Sequence, residues 1–145
     1  MINDIFSKSK KQPNEKPKQK ILIDHREKNS LVPSFLKKNG LEIEFIHLKL
    51  GDYLVNNFLI ERKTNLDFIC SILDKRIETQ IERLKKQENK LLIIENSVRT
   101  KTNFNQNAVK GKILSLALKH KIPIIFTKNE EDTAIYLKIL SNKKI

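Results

Sequence analysis

The sequence predicts an α/β domain built on a mixed sheet with helices on both faces, and three observations predict it. Apolar residues come in short runs of two kinds, continuous at 91–94 and 122–126 and alternating with charges at 41–45. Segments with helical spacing separate those runs. The chain is 145 residues long, enough for one compact domain with a modest core. Continuous apolar strands are the kind buried on both faces, and crossover helices supply that cover.

The elements read in order as follows. Ile21, Leu22 and Ile23 make a short buried strand that ends in the polar group Asp24, His25, Arg26 and Glu27. Ser30 can cap a helix with Pro33 in its first turn, running to Lys38 and stopping at Asn39 and Gly40. Leu41, Ile43 and Phe45 alternate with Glu42 and Glu44 as a half-buried strand. The apolar phase then slips to Ile46, Leu48 and Leu50, which predicts a bulge or a second short strand. Segments 53–55 and 58–60 flank Asn56 and Asn57 as a tight hairpin. After Thr64 the spacing turns helical: Phe68, Ile69, Ile72 and Leu73 form one stripe, and Ile77, Ile81, Leu84 and Glu88 another. A buried strand at 91–94 leads into a polar connection over 96–106. A helix follows over 108–119, with Val109, Ile113, Leu116 and Ala117 inward. A buried strand at 122–126 and a helix over 132–140 close the order, with no internal repeat.

Charge narrows the class. The chain carries 29 Lys and Arg against 17 Asp and Glu, a net of +12, which favours an anionic partner, nucleic acid before a membrane surface. Residues 1–20 hold six lysines against Asp4 and Glu15, a net of +4, leaving +8 for the rest. With Pro13 and Pro17 and nothing apolar from Ser7 to Lys20, residues 1–19 read as a disordered basic tail ahead of a domain over 20–145. The apolar runs are far shorter than the roughly 20 residues of a membrane span, and no secretory signal stands at the start. The single Cys70 excludes an internal disulfide framework, and it reads as a small buried residue on a helix. The location expected is intracellular, the cytoplasm of a prokaryote or the nucleus of a eukaryote. His47 and His120 have no partner at metal-ligand spacing.

Acidic residues gather at predicted strand ends. Asp24 and Glu27 follow the first strand, Asp52 opens the hairpin and Glu61 closes it. Alternation puts Glu61 and Lys63 on one side of an extended segment with Arg62 opposite, and the hairpin folds Asp52 back towards Glu61. Two carboxylates and an ammonium are what metal-assisted phosphodiester hydrolysis needs: oxygen ligands for Mg²⁺ or Mn²⁺, and a cation for the attacking water or the developing charge.

The motif extends beyond this pair. Gly51-Asp52-Tyr53, Glu61-Arg62-Lys63 and Asp67 reproduce GDY … ERKxxxD, Asp24 to Glu27 resembles DxRE, and Arg76 and Gln80 fit Arg-xxx-Gln on the following helix. Together these resemble the XPF/Hef family of structure-specific DNA endonucleases within the PD-(D/E)XK superfamily, over roughly residues 20–142. The resemblance implies a restriction-endonuclease-like mixed central sheet flanked by helices, and Mg²⁺- or Mn²⁺-dependent cleavage of flaps, forks or other branched DNA in repair or replication restart. It implies that Asp52 and Glu61 ligate the metal with the backbone carbonyl of Arg62 assisting, and that Lys63 serves the water or the transition state. Asp24 and Glu27 would complete the acidic pocket, while Arg26, Arg62 and Asp67 would organise it or contact phosphate. Arg76 and Gln80 would support it.

Family members dimerise through C-terminal helices, and the apolar surplus at Leu114, Leu116, Leu118, Ile135, Leu137, Ile139 and Leu140 fits a homodimer or heterodimer. Members usually continue into a tandem helix-hairpin-helix domain that grips DNA. Here that grip comes from a separate subunit, from a part of a longer chain outside this sequence, or in part from the basic tail. No Gly-rich phosphate loop is present. Two other classes stay open: a non-catalytic DNA-binding or scaffold subunit of a heteromeric nuclease, and a related junction resolvase or RNA-splicing endonuclease.

Overall fold

The computed structural model describes residues 20–97 and 104–145. The basic tail expected over 1–19, and most of the polar connection expected over 96–106, lie outside the described residues. Six strands form one mixed sheet in the order β2-β1-β3-β4-β5-β6. They are β1 (Ile21–Asp24), β2 (Ile43–Ile46), β3 (Tyr53–Val55), β4 (Phe58–Thr64), β5 (Lys90–Glu95) and β6 (Ile124–Thr127). The helices are α1 (Val32–Lys38), α2 (Asn65–Leu73), α3 (Arg76–Leu84), α4 (Gln106–Leu114) and α5 (Glu130–Asn142). Strands β1 and β2 pair in parallel, β1 with β3 and β3 with β4 antiparallel, and β4, β5 and β6 in parallel.

Each sheet face has its own core. On one face Ile21, Ile23, Tyr53, Ile60 and Ile93 pack with Val32 and Leu36 of α1 and Ala134 and Leu137 of α5. On the other, Leu92 and Ile94 pack with Phe68 of α2, Ile77, Ile81 and Leu84 of α3, and Leu116 and Ile122. The period-two alternation of β5 makes this division: Ile93 serves the first core, Leu92 and Ile94 the second. At about 25 cal/mol per Å² of apolar surface, each fully buried Ile or Leu contributes on the order of 2 kcal/mol.

The hairpin turns through Asn56 and Asn57, both with positive φ (49° and 66°), the backbone of a type I′ turn. Ser30 lies one residue further from α1 than a simple cap, yet its Oγ accepts the Val32 N–H at 3.1 Å. Asp24 caps a 3-10 turn, His25–Asn29, instead of merely closing a strand.

Five expectations are corrected. Residues 47–50 form neither a bulge nor a strand; they bend, and the Leu48 N–H donates to Asp24 Oδ1 at 2.9 Å. Glu88 lies beyond α3, which stops at Leu84. The final predicted strand runs 124–127 and sits at a sheet edge, so Phe126 is 57% exposed, not buried. Leu116 and Leu137 are fully buried in the domain's own two cores and are not free for a partner: Leu116 continues the inward spacing of Val109 and Ile113, and Leu137 packs against α1 and the sheet. Cys70 is exposed.

Candidate active site

Strand β4 lies inside the sheet between β3 and β5, and its alternation sends Glu61 and Lys63 towards α3 and Arg62 towards α5. Two separate charge systems result. Their common backbone is held by Asp52. The Asp52 N–H donates to the Ile60 carbonyl at 2.8 Å, its carbonyl accepts from the Asp24 N–H at 2.9 Å, and its Oδ2 accepts from the Arg62 N–H at 2.8 Å. Gly51 makes this approach possible. Its φ is +79°, and a Cβ there would stand 2.8 Å from the Leu59 side chain and 3.3 Å from the Ile60 carbonyl oxygen.

On the α3 side, Asp52, Glu61 and Lys63 line one cavity of about 140 Å³ with Gln80 at its wall and Arg26, Lys49 and Arg83 also contributing. Burial pushes the Asp52 carboxyl up to about 8, and the charges of Glu61 and then Glu27 add to the effect. Burial also raises Glu61, with Lys63 and Arg26 pulling the other way. Ionising both therefore puts negative charge in the cavity that the protein does not fully balance. Among the described residues no three His, Cys, Asp or Glu side chains converge on one point. The protein's donor set is two carboxylates with backbone oxygens nearby, a set that suits a hard cation retaining several waters.

On the opposite face Arg62 is the centre of a buried network. Its guanidinium donates to Glu95 from Nη2 at 2.5 Å and from Nε at 3.1 Å, and to Glu27 from Nη1 at 3.2 Å. Tyr53 Oη donates to Glu27 at 2.6 Å, and Thr133 Oγ1 of α5 donates to Glu95 at 2.6 Å. Glu130 approaches Arg62 at 4.0 Å while accepting from Ser30 Oγ and the Leu31 N–H. Burial works against the Arg62 charge, but its bonds to Glu95 and the charge of Glu27 raise its pKa. For Glu27 burial dominates, so its pKa rises despite Tyr53 and Arg62.

The structure thus sorts the residues singled out in the sequence. Asp52, Glu61, Lys63, Arg26 and Gln80 share the cavity. Asp24 and Glu27 do not line it. Asp24 spends its oxygens on the Arg26 N–H and Nε and on Leu48; burial pushes its carboxyl up, and those bonds outweigh it, holding it at about 2. Glu27 faces Arg62, and its charge reaches the cavity only across the sheet end. Arg62 is enclosed by carboxylates and is not free for phosphate. Asp67 is exposed in the first turn of α2, and Arg76 pairs with Asp74 at 2.7 Å on the surface where α3 begins. Sequence reasoning left Tyr53, Glu95, Glu130 and Thr133 without roles. A charge closing an otherwise apolar buried strand was the available signal for Glu95.

Comparison with known proteins agrees with this arrangement. The ERCC4 domain profile matches residues 23–140. The chain is 44% identical over 128 residues, 87% of its length, to the Methanocaldococcus jannaschii protein MJ1505, which bears the name of an ATP-dependent RNA helicase. It is 29% identical over 128 residues to the 3′-flap repair endonuclease Xpf of Saccharolobus solfataricus. The chain spans 16% of the first relative and 55% of the second. Among solved structures, XPF from Aeropyrum pernix superposes with a TM-score of 0.78 at 28% identity, covering 85% of this chain and 63% of that one. The same protein in complex with DNA gives 0.77 at 29% identity, covering 84% and 62%.

Proposed function

This chain belongs to the ERCC4-domain family as an XPF-type nuclease domain, and on that premise we propose that it hydrolyses phosphodiesters of branched DNA, such as flaps and forks, with Asp52, Glu61 and Lys63 at the reacting centre. The observation that carries the reading is the convergence of two under-compensated carboxylates with a buried lysine in one cavity. Asp52 and Glu61, with the backbone carbonyl of Arg62, are the residues that would hold Mg²⁺ or Mn²⁺. A strand residue sends its N–H and C=O to the same side, so the Arg62 carbonyl leaves β4 on the side of Asp52, where the paired part of β3 has ended. When bound, such an ion lowers the pKa of a coordinated water and neutralises charge building on the phosphate.

The chain's own residues do the remainder. Asp52 is oriented by the Arg62 N–H, so its free oxygen faces the cavity in a fixed direction. Lys63 presents an ammonium to the phosphate oxygens, where negative charge develops in the transition state. Arg26, Lys49 and Arg83 gather backbone phosphates at the cavity mouth, which ties affinity to salt. The Glu27–Arg62–Glu95 network supports the strand behind the site, and Thr133 joins it to α5. Leu114 of α4, Leu118 of the π turn Ser115–Lys119, Phe126 of the edge strand β6, and Ile135, Tyr136 and Ile139 of α5 are large apolar side chains left exposed around the β6 edge, and together they make a candidate face. We assign this face to a second copy or a related subunit. No helix among the described residues is long and apolar enough to cross a membrane. The DNA-repair names among the relatives support work on DNA inside the cell.

Labelled flap, fork, four-way junction and RNA substrates, each incubated with Mg²⁺ or Mn²⁺ and with EDTA, test the proposal. Branched DNA should be cut only with metal. Asp52→Ala and Glu61→Ala should each abolish cutting while leaving DNA binding largely intact. Turnover by either variant at the wild-type rate refutes the site. Binding without cleavage by the wild type on every substrate supports a scaffold subunit instead.

A further inference from the structure

We propose that Asp24 is a positioning residue, which holds the Arg26 guanidinium by Nε so that Nη1 and Nη2 stand free as a preset fork for a DNA phosphate at the cavity mouth. The inference rests on the nuclease reading above, which supplies the phosphate, and it gives a role to a carboxylate that does not line the cavity. Asp24 is fully buried and both of its oxygens are taken. Oδ2 accepts the Arg26 N–H at 2.9 Å and the Arg26 Nε–H at 2.7 Å, and Oδ1 accepts the Leu48 N–H at 2.9 Å. Its own N–H donates to the Asp52 carbonyl at 2.9 Å.

The local backbone explains the contact. Asp24 ends β1 and caps the 3-10 turn His25–Asn29, which brings Arg26 over the capping carboxylate. A cap needs only the Arg26 backbone N–H. The second bond, to Nε, fixes the direction of the side chain, and nothing in the turn requires it. The Arg26 side chain is still 70% exposed, and among the described residues neither Nη1 nor Nη2 donates to the protein. It lines the cavity beside Asp52, Glu61 and Lys63. Arg62 differs on each count: its Nε and both Nη atoms are spent on Glu27 and Glu95. Arg76 meets Asp74 through the same two bonds, but both partners are half exposed and neither lines the cavity.

A guanidinium held at Nε keeps its two Nη groups as an end-on pair in one plane, the arrangement that meets two phosphate oxygens at once. Asp24 fixes that plane before DNA arrives, so less rotamer freedom is lost on binding. The same residue joins the fork to the reacting centre. Ile23 pairs with Tyr53 in the sheet, the Asp24 N–H bonds the Asp52 carbonyl, and the Leu48 N–H ties down the loop that leads to Lys49 and Gly51. A phosphate gripped by Arg26 is therefore held at a set distance from Asp52. Asp24 touches no atom of the DNA; it acts through Arg26.

Charge and position predict opposite signs here. By charge alone, Asp24→Asn removes a carboxylate from beside the DNA and should tighten binding; through Arg26, it releases the fork and should weaken it. The Kd for branched DNA in EDTA, the single-turnover cleavage rate at saturating DNA and Mg²⁺, and the urea midpoint in EDTA are read for each variant. Asp24→Asn should weaken binding by about tenfold, the lower end for a charge-assisted hydrogen bond, and slow cleavage as well. Asp24→Ser, which keeps an oxygen for the cap and none for Nε, should show the same loss and stands in if Asp24→Asn is unfolded in the assay buffer. Arg26→Lys keeps the charge without the fork and should fall nearly as far as Arg26→Ala. Added to Arg26→Ala, Asp24→Asn should change the Kd by less than about twofold. The inference is overturned if Asp24→Asn and Asp24→Ser bind as tightly as the wild type, or if Arg26→Lys behaves like the wild type. It is also overturned if Asp24→Asn costs as much without the Arg26 side chain as with it, the mark of a purely structural cap. A wild type that binds branched DNA and cuts none overturns the nuclease reading, while the comparison of affinities still decides this inference.

Discussion

Replacing Asp52 with Asn should stabilise the metal-free domain at high pH, and by an amount that the structure bounds. Asn keeps the size of the side chain and the oxygen that accepts the Arg62 N–H, and removes only the charge. In the folded protein the Asp52 carboxyl is raised from 3.8 to about 8, by burial first and then by Glu61 and Glu27. A carboxyl raised on folding binds its proton more tightly in the native state. Its stabilising contribution is therefore complete below about pH 3.8 and is lost as pH climbs through about 8. At ~1.4 kcal/mol per unit, the full shift caps the loss at roughly 6 kcal/mol. Water entering the cavity relieves part of that, so the expected gain for Asp52→Asn at pH 8.5 is on the order of 2–5 kcal/mol, falling towards zero at pH 4.5. Urea unfolding followed by circular dichroism, in EDTA at both pH values, measures it. Adding Mg²⁺ at a hundredfold excess over its Kd should return about 2.7 kcal/mol to the wild type and much less to the variant. An Asp52→Asn protein no more stable than wild type at pH 8.5, or equally stabilised at both pH values, refutes the account of an under-compensated pair.

Three further outcomes follow from the same geometry. Arg62→Leu leaves Glu27 and Glu95 buried without their cation and should cost about 3–5 kcal/mol in urea unfolding at pH 7.5, with the loss shrinking at lower pH as Glu27 takes up a proton. Gly51→Ala meets both the positive φ and the Leu59 contact; a loss of about 1–3 kcal/mol is expected, together with slower cleavage, because the loop that carries Asp52 must shift. Leu118→Glu, at a residue 65% exposed, should leave the unfolding midpoint nearly unchanged while shifting sedimentation from dimer to monomer; an unaltered dimer would move the interface elsewhere.

The legibility of this chain in sequence varied with the range of the interaction involved. Strand and helix positions were readable because period-two and helical spacings are local, and the Asn56-Asn57 hairpin because its turn type demands positive φ from two neighbouring residues. The cavity pair was readable for the same reason: Glu61 and Lys63 share a side by alternation, and a tight hairpin can only bring Asp52 back to them. The role of Asp24 was not. Its carboxylate is consumed by Arg26 and by Leu48, which is 24 residues away, and no local pattern announces that bond. Arg62 was placed on the correct side of its strand, but the partners waiting there belong to β1's following turn, β5 and α5.

What the sequence determined by itself was the fold class, the family signature and the three side chains that meet in the cavity, since each depends on spacings within a few residues. Tertiary packing alone decided which acidic residues remain available for chemistry and which are spent as structure. That choice depends on desolvation and on donors from distant strands and helices. Those same contacts pair Arg76 with Asp74 at the surface and close Leu137 into the core while Leu118 faces out.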